Sequence, residues 1–396
     1  MPFQNLSAFS RRSFLQLSAA ASAAAAFHVV TEPMLAAAAR PPISKDGVMI
    51  DSNENPLGPS QSARSALSAI IPLGGRYLFN RSDDLVHSFA QIEDLNPDHV
   101  RVFPGSSPAL SFTVVAFSSP QRSYVTADPG YEAGMYSAKA AEARVVKVPL
   151  TKTYAHDVKA MIAAAPDAGV FYVCNPNNPT GTLTPHSDLD YLVENKPKGS
   201  IVMVDEAYIH FCDAPSTLDF VKAGKDVVVL RTFSKAYGMA GLRCGFAIAR
   251  PDLLDKITTR AGRNIMPITA VAAASASLKE PGLVPERKRI NATVREETFE
   301  WLDRNSYSHT ASESNCFLLD TKRPGKEVID AMAQQNVSIG RIWPIMPTCV
   351  RVTVGTHEEM EQFQTAFQKV MRGTTAFSLS PARPTRDSRR HRALLS

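Results

Sequence analysis

Cysteine is scarce: five residues in 396, at Cys174, Cys212, Cys244, Cys316 and Cys349, and no two share the Cys-x-x-Cys spacing of a zinc or redox site. Their odd number and wide separation argue against a disulfide framework. Most lie in apolar runs, where a free thiol packs as a small hydrophobe. The nine histidines form no metal-ligand pattern, so no metal centre is expected. Charge of one sign is also lacking over the body of the chain. Six arginines against one aspartate, from Arg372 to the end, account for the whole formal charge of +5. The rest is near neutral, which argues against a nucleic-acid-binding face. No apolar stretch reaches the roughly 20 residues of a confident membrane span.

Apolar residues make up 44% of the chain, enough for a sizeable core, and the length suits one large domain plus a smaller one. Short β-branched runs recur at 100–103, 123–127, 144–148, 169–174, 201–205, 227–231 and 244–249. Several are apolar on both faces, as buried parallel strands are. Helical segments at 109–116, 130–140 and 189–195 fill the crossovers. The expected fold class is therefore α/β, with a mostly parallel sheet in the large domain. After about Asn264 the pattern changes to a long polar helix (284–305), strands at 316–320, 337–341 and 349–354, and helices at 325–335 and 357–371. That reads as a smaller α+β domain. The expected divisions are a leader to residue 40, an N-terminal arm at 41–62, the large domain at 63–275, the small domain at 276–372 and a disordered basic tail at 373–396.

The leader carries Ser10-Arg11-Arg12-Ser13-Phe14-Leu15-Gln16, an Ala-rich stretch, and then Met34-Leu35-Ala36-Ala37-Ala38-Ala39 with several Ala-x-Ala choices for a peptidase. It resembles a bacterial twin-arginine export signal. Export to the periplasm is the expectation, and a cytoplasmic place if the leader is not functional.

Chemistry-bearing residues follow the strands, where ligands sit in open α/β sheets. Lys235 stands just past a buried strand, flanked by hydroxyls, and its amine can condense with an aldehyde. Thr232, Ser234 and Arg243 can together receive a phosphate. Asp205 ends an apolar strand and needs a positive partner there; a protonated pyridine nitrogen is one such partner. Asn178 lies in Asn175-Pro176-Asn177-Asn178-Pro179-Thr180-Gly181, a fixed turn whose amide can donate to a phenolate oxygen.

The run Asn-Pro-Thr-Gly, Asp-Glu-Ala-Tyr, Ser-Lys and Gly-Leu-Arg resembles the class I/II, fold-type I aminotransferases, and within them the histidinol-phosphate aminotransferases. The segment 51–60 and the strand 351–356 add to the likeness, which runs from about Met49 to Met371. The resemblance implies pyridoxal 5'-phosphate (PLP) as cofactor and a fold-type I architecture. It implies that Lys235 holds the cofactor as a Schiff base and moves a proton between the substrate Cα and the cofactor. Asp205 would pair with the ring nitrogen, Asn178 and Tyr208 with the ring hydroxyl, and Tyr131 would stack on the ring. Thr232, Ser234, Arg243 and the amides of Ser106 and Ser107 would hold the phosphate. Tyr77 would reach a phosphate across a homodimer interface. Arg351 would take the substrate carboxylate or phosphate, Arg341 a second anion, and Asn55 would sit on the substrate side. The implied reaction passes an amino group from a small amine or amino acid, histidinol phosphate-like, to a 2-oxo acid such as 2-oxoglutarate. A lyase resembling threonine-phosphate decarboxylase shares the same motifs, and a transaminase for an aromatic or other amino acid is a further alternative. Two departures bear on the substrate: Pro108-Ala109 stands where the family has an acidic pair, and 260–267 replaces a more aromatic segment.

Overall fold

A computed structural model describes residues 29–37, 41–261 and 266–373. The twin-arginine motif, the tail beyond 373 and the middle of the 260–267 segment lie outside the described residues. Among the described residues twelve strands occur in chain order. β1 is Val48–Ile50, β2 Val100–Phe103, β3 Ser123–Asp128, β4 Val145–Pro149, β5 Ala168–Cys174 and β6 Ile201–Asp205. β7 is Val227–Thr232, β8 Gly245–Ile248, β9 Ser308–His309, β10 Cys316–Asp320, β11 Val337–Ile339 and β12 Cys349–Thr353.

The large sheet has seven strands in the order β2-β8-β7-β6-β5-β3-β4. All pairs are parallel except those of β8, which runs antiparallel to both neighbours. The central strands β5, β6 and β7 are buried along their whole length. Both of their faces are covered, so continuous Val-rich runs are favoured there over alternation. One apolar cluster lies on each side of the sheet. Burying a single Val or Leu side chain in them stabilises the fold by about 1.5–3 kcal/mol. The five cysteines are free thiols, all buried.

The small domain holds the sheet β12-β10-β9 and its own apolar cluster, packed under the helices Gly325–Gln334 and His357–Gly373. Its second, two-stranded sheet takes in part of the N-terminal arm expected at 41–62. β1 pairs in parallel with β11, Val48 opposite Val337, so the arm is built into the small domain. Glu32–Ala37 is a short helix, Val30 is buried in the large domain's core, and Leu35 is half-buried against it.

Two domain-joining contacts meet at one loop. Asn175 latches it, donating from Nδ2 to the Thr184 carbonyl at 3.1 Å and accepting from the Thr184 amide at 2.9 Å. Gly181, at φ +71°, lies so close to Ser312 of the small domain that a Cβ would overlap its hydroxyl. Thr310 donates to the Thr180 carbonyl at 2.6 Å beside it.

Candidate active site

The carboxyl ends of β2, β3, β5, β6 and β7 open on one edge of the large sheet, facing the arm and the small domain. A cavity of about 250 Å³ lies there. Its walls include Lys235, Asp205, Tyr208, Asn178, Tyr131, Ser106, Ser107, Thr232, Ser234 and Arg243, ten positions read from sequence.

Asp205 is set by register. Cys174 on β5 stands opposite Asp205 on β6, so Tyr172, two residues back, shares that face. Its hydroxyl donates to Asp205 Oδ2 at 3.0 Å, and the Ala207 amide donates to Oδ1 at 3.1 Å. Burial pushes the Asp205 carboxyl up to about 6, against the hydrogen bonds that favour its charge. A buried carboxylate so placed calls for a cation.

Lys235 follows β7 and is buried. Its Nζ donates to the carbonyls of Asn53 at 2.8 Å and Ser52 at 3.4 Å, both on the arm. Burial lowers its pKa, Glu32 opposes that, and Arg351 adds to it. An amine with a depressed pKa is more readily neutral and nucleophilic. Tyr208 accepts from Asn53 Nδ2 at 2.9 Å. The Asn178 Oδ1 accepts from Arg351 Nη1 at 3.0 Å, which turns its NH2 toward donation.

The phosphate-type cradle is made of three pieces. Thr232 donates to Ser234 Oγ at 2.9 Å, and Arg243 Nη1 donates to the same oxygen at 3.1 Å and to the Ala240 carbonyl at 2.8 Å. The helix Ser106–Phe117 begins beside them with its first amides unpaired by the helix itself, an anion-favouring end. Gly105 makes this approach feasible. Its φ of +91° suits glycine, and a Cβ there would overlap Arg243 Nη2.

The expected substrate-side residues are placed differently. Arg351 is fully buried, with Nη2 donating to Glu32 Oε1 at 2.6 Å and to the Asp51 carbonyl. Arg341 is buried too, paired to Glu32 Oε2 at 3.2 Å and Glu132 Oε2 at 3.0 Å, with its guanidinium 4.8 Å from the Trp343 ring centre. Neither guanidinium is open to the cleft while Glu32 is in place. Asn55 faces away from the cavity: its Nδ2 donates to the Ala236 carbonyl at 3.0 Å and its Oδ1 accepts from the Leu57 amide, tying the arm to the lysine loop. Tyr77 is exposed, stacked on Phe79, outside the cavity. Glu32, Ser52, Asn53 and Tyr172 were not singled out from sequence. Tyr172 read as one more core residue of an apolar strand, and Asn53 sits two residues before the Asn55 that was chosen.

The residues fit pyridoxal phosphate. The cavity offers a buried carboxylate in need of a cation, a low-pKa lysine, two donors for a phenolate oxygen and a phosphate cradle that a single Cβ would fill. The fold and site thus define a fold-type I pyridoxal-phosphate enzyme. Residues 45–367 match the family described as Aminotransferase class I and II. The chain is 32% identical over 341 residues to a histidinol-phosphate aminotransferase of Moorella thermoacetica, covering 83% of this chain and 86% of that one. A solved structure of a protein from Erwinia carotovora atroseptica superposes with a TM-score of 0.81 at 28% identity, covering 84% of this chain and 98% of the other. The histidinol-phosphate aminotransferase of Sinorhizobium meliloti, in complex with pyridoxal-5'-phosphate, gives 0.78 at 23% identity over 93% and 100%. The chain belongs to the class I and II aminotransferases, and it is a PLP-dependent transaminase.

Proposed function

We propose that the amino donor is a small anionic amine or amino acid of the histidinol phosphate kind and that a 2-oxo acid such as 2-oxoglutarate accepts the amino group. The observation that carries this is the Arg351–Arg341 pair beside Lys235, two buried cations whose forks match carboxylate or phosphate geometry. When bound, the cofactor supplies an electron sink for the pair of electrons left at the substrate Cα. Asp205 holds the charge on its ring nitrogen. Lys235 Nζ would take the proton from the substrate Cα and hold it for return, a task for which its lowered pKa fits it. Tyr208 and Asn178 would hold the ring hydroxyl, Tyr131 would pack against the ring, and the arm carbonyls hold the lysine. Arg351 orients the acid end of each substrate in turn.

Likewise part of this reading are a homodimer in which Tyr77, exposed in the single chain, reaches the partner's cofactor phosphate, and export by the twin-arginine route. Among the described residues no helix is long and apolar enough to cross a membrane. The experiment is a half-reaction screen. Amines and amino acids are mixed with the purified holoprotein, and cofactor absorbance is followed as the amino group is delivered. Conversion by histidinol phosphate and by glutamate, without carbon dioxide release, is expected. Carbon dioxide release with no need for a 2-oxo acid overturns the transaminase assignment.

A further inference from the structure

Resting on the transaminase reading above, we propose that Glu32 occupies the acid-receiving site in place of a substrate carboxylate, so that acid substrates bind only when the segment 29–37 withdraws.

The geometry is that of a bound acid. Glu32 spreads its two oxygens over two guanidinium groups, Oε1 on Arg351 at 2.6 Å and Oε2 on Arg341 at 3.2 Å. It is nine-tenths buried, and with Thr31 it lines the same cavity as Lys235 and Asp205. The charges of the fork also close. Arg351 and Arg341 face the carboxylates of Glu32 and Glu132, so the fork itself keeps no net positive charge for an incoming anion. Two like-signed acids cannot share this fork, because the second would be buried beside the first without a cation of its own.

The occupant fits the site incompletely. Arg351 Nε and Arg341 Nε are buried and bond nothing, so an incoming acid can meet donors that Glu32 leaves unmet. The segment is also held lightly. Its helix spans six residues, Met34 is exposed, and among the described side chains its apolar anchors are Val30, buried in the core, and Leu35, half-buried. A carboxylate on a short, lightly anchored segment is the kind of group that local opening releases. Sequence gives it a further property. Glu32 precedes the Ala36–Ala39 run, so a peptidase cut in that run separates it from the enzyme.

The test uses the full-length holoenzyme and succinate, an unreactive dicarboxylate, measured by isothermal titration calorimetry. Glu32→Gln and Glu32→Ala are expected to bind succinate at least tenfold more tightly than the parent. Equal or weaker binding in both folded variants overturns the proposal. A second measurement needs no variant. Saturating succinate is expected to expose the segment 29–37 of the parent protein to limited proteolysis, and unchanged protection with succinate bound overturns the proposal equally. Neither readout depends on turnover. Tightened binding in a protein that transaminates nothing refutes the functional reading and leaves this inference standing.

Discussion

Asp205→Asn separates the needs of the site from the needs of the fold. Burial carries the Asp205 carboxyl from 3.8 to about 6 in the chain without a ring cation beside it. The sign follows from proton linkage. Below about pH 4 the carboxyl is neutral folded and unfolded, and the aspartate costs nothing. Between about 4 and 6 the unfolded chain releases its proton while the folded chain retains it, so folding stability falls as pH rises, and above 6 the loss is complete. The ceiling of that loss is about 3 kcal/mol. An amide keeps the shape and one acceptor, and the Tyr172 hydroxyl can turn to accept from the new NH2. The apo variant is therefore expected to be more stable than the parent at pH 8 by about 1–3 kcal/mol, with the gap closing toward pH 4. Urea unfolding of both apoproteins at pH 4.5 and pH 8 measures it. Transamination by the holo variant should fall on the order of a thousandfold, the worth of about 4 kcal/mol of charge stabilisation. A variant no more stable than the parent at pH 8, or an equal gap at both pH values, refutes the argument.

Gly105→Ala should weaken cofactor binding by roughly ten- to a hundredfold. Its strained φ and the displaced Arg243 each cost about 1–3 kcal/mol, of which part falls on the bound state. Fluorescence titration of the apoprotein with pyridoxal phosphate reads this, and unchanged affinity counts against the cradle. Tyr172→Phe removes a hydrogen bond to the charged form of Asp205, so the apoprotein's loss of stability with rising pH should extend to higher pH; an unmoved profile shows the bond to be idle. Lys235→Ala should abolish turnover, and borohydride reduction followed by peptide mapping should find the pyridoxyl adduct at 235 in the parent and nowhere in the variant. An adduct elsewhere ends the assignment.

The centre of the large sheet was legible because its strands are buried on both faces, so β6 stands where the apolar run places it. The ten cavity-lining positions were legible because each sits within a few residues of a strand end, whereas Tyr77 does not and lies outside the cavity. The helices Gln61–Ile70, Phe79–Ile92, Pro251–Ala261 and Ile268–Leu278 were not anticipated, although the first begins at a Ser60 cap that accepts from the Ala63 amide. What escaped the site was nonlocal. Asn53 meets Tyr208 across 155 residues, and Glu32 meets Arg351 across 319. No spacing rule reaches that far, and Glu32 lay in a stretch that read as a removable leader. Asn55, chosen by its motif, turned out to be a tie to a backbone carbonyl, because a side chain's direction depends on a fold that a motif does not state.

The pairing of β1 with β11 has an outcome for how the enzyme comes into being. Both carbonyls that hold the reactive lysine's ammonium belong to the arm, and the arm is fixed by a ladder with the small domain and by the Asn53 amide on Thr353, 300 residues away. A nascent chain that has finished the seven-stranded sheet therefore still lacks the hold on its lysine. The lysine reaches these hydrogen bonds only once β11 and β12 have been made and have drawn in the arm some 300 residues behind them.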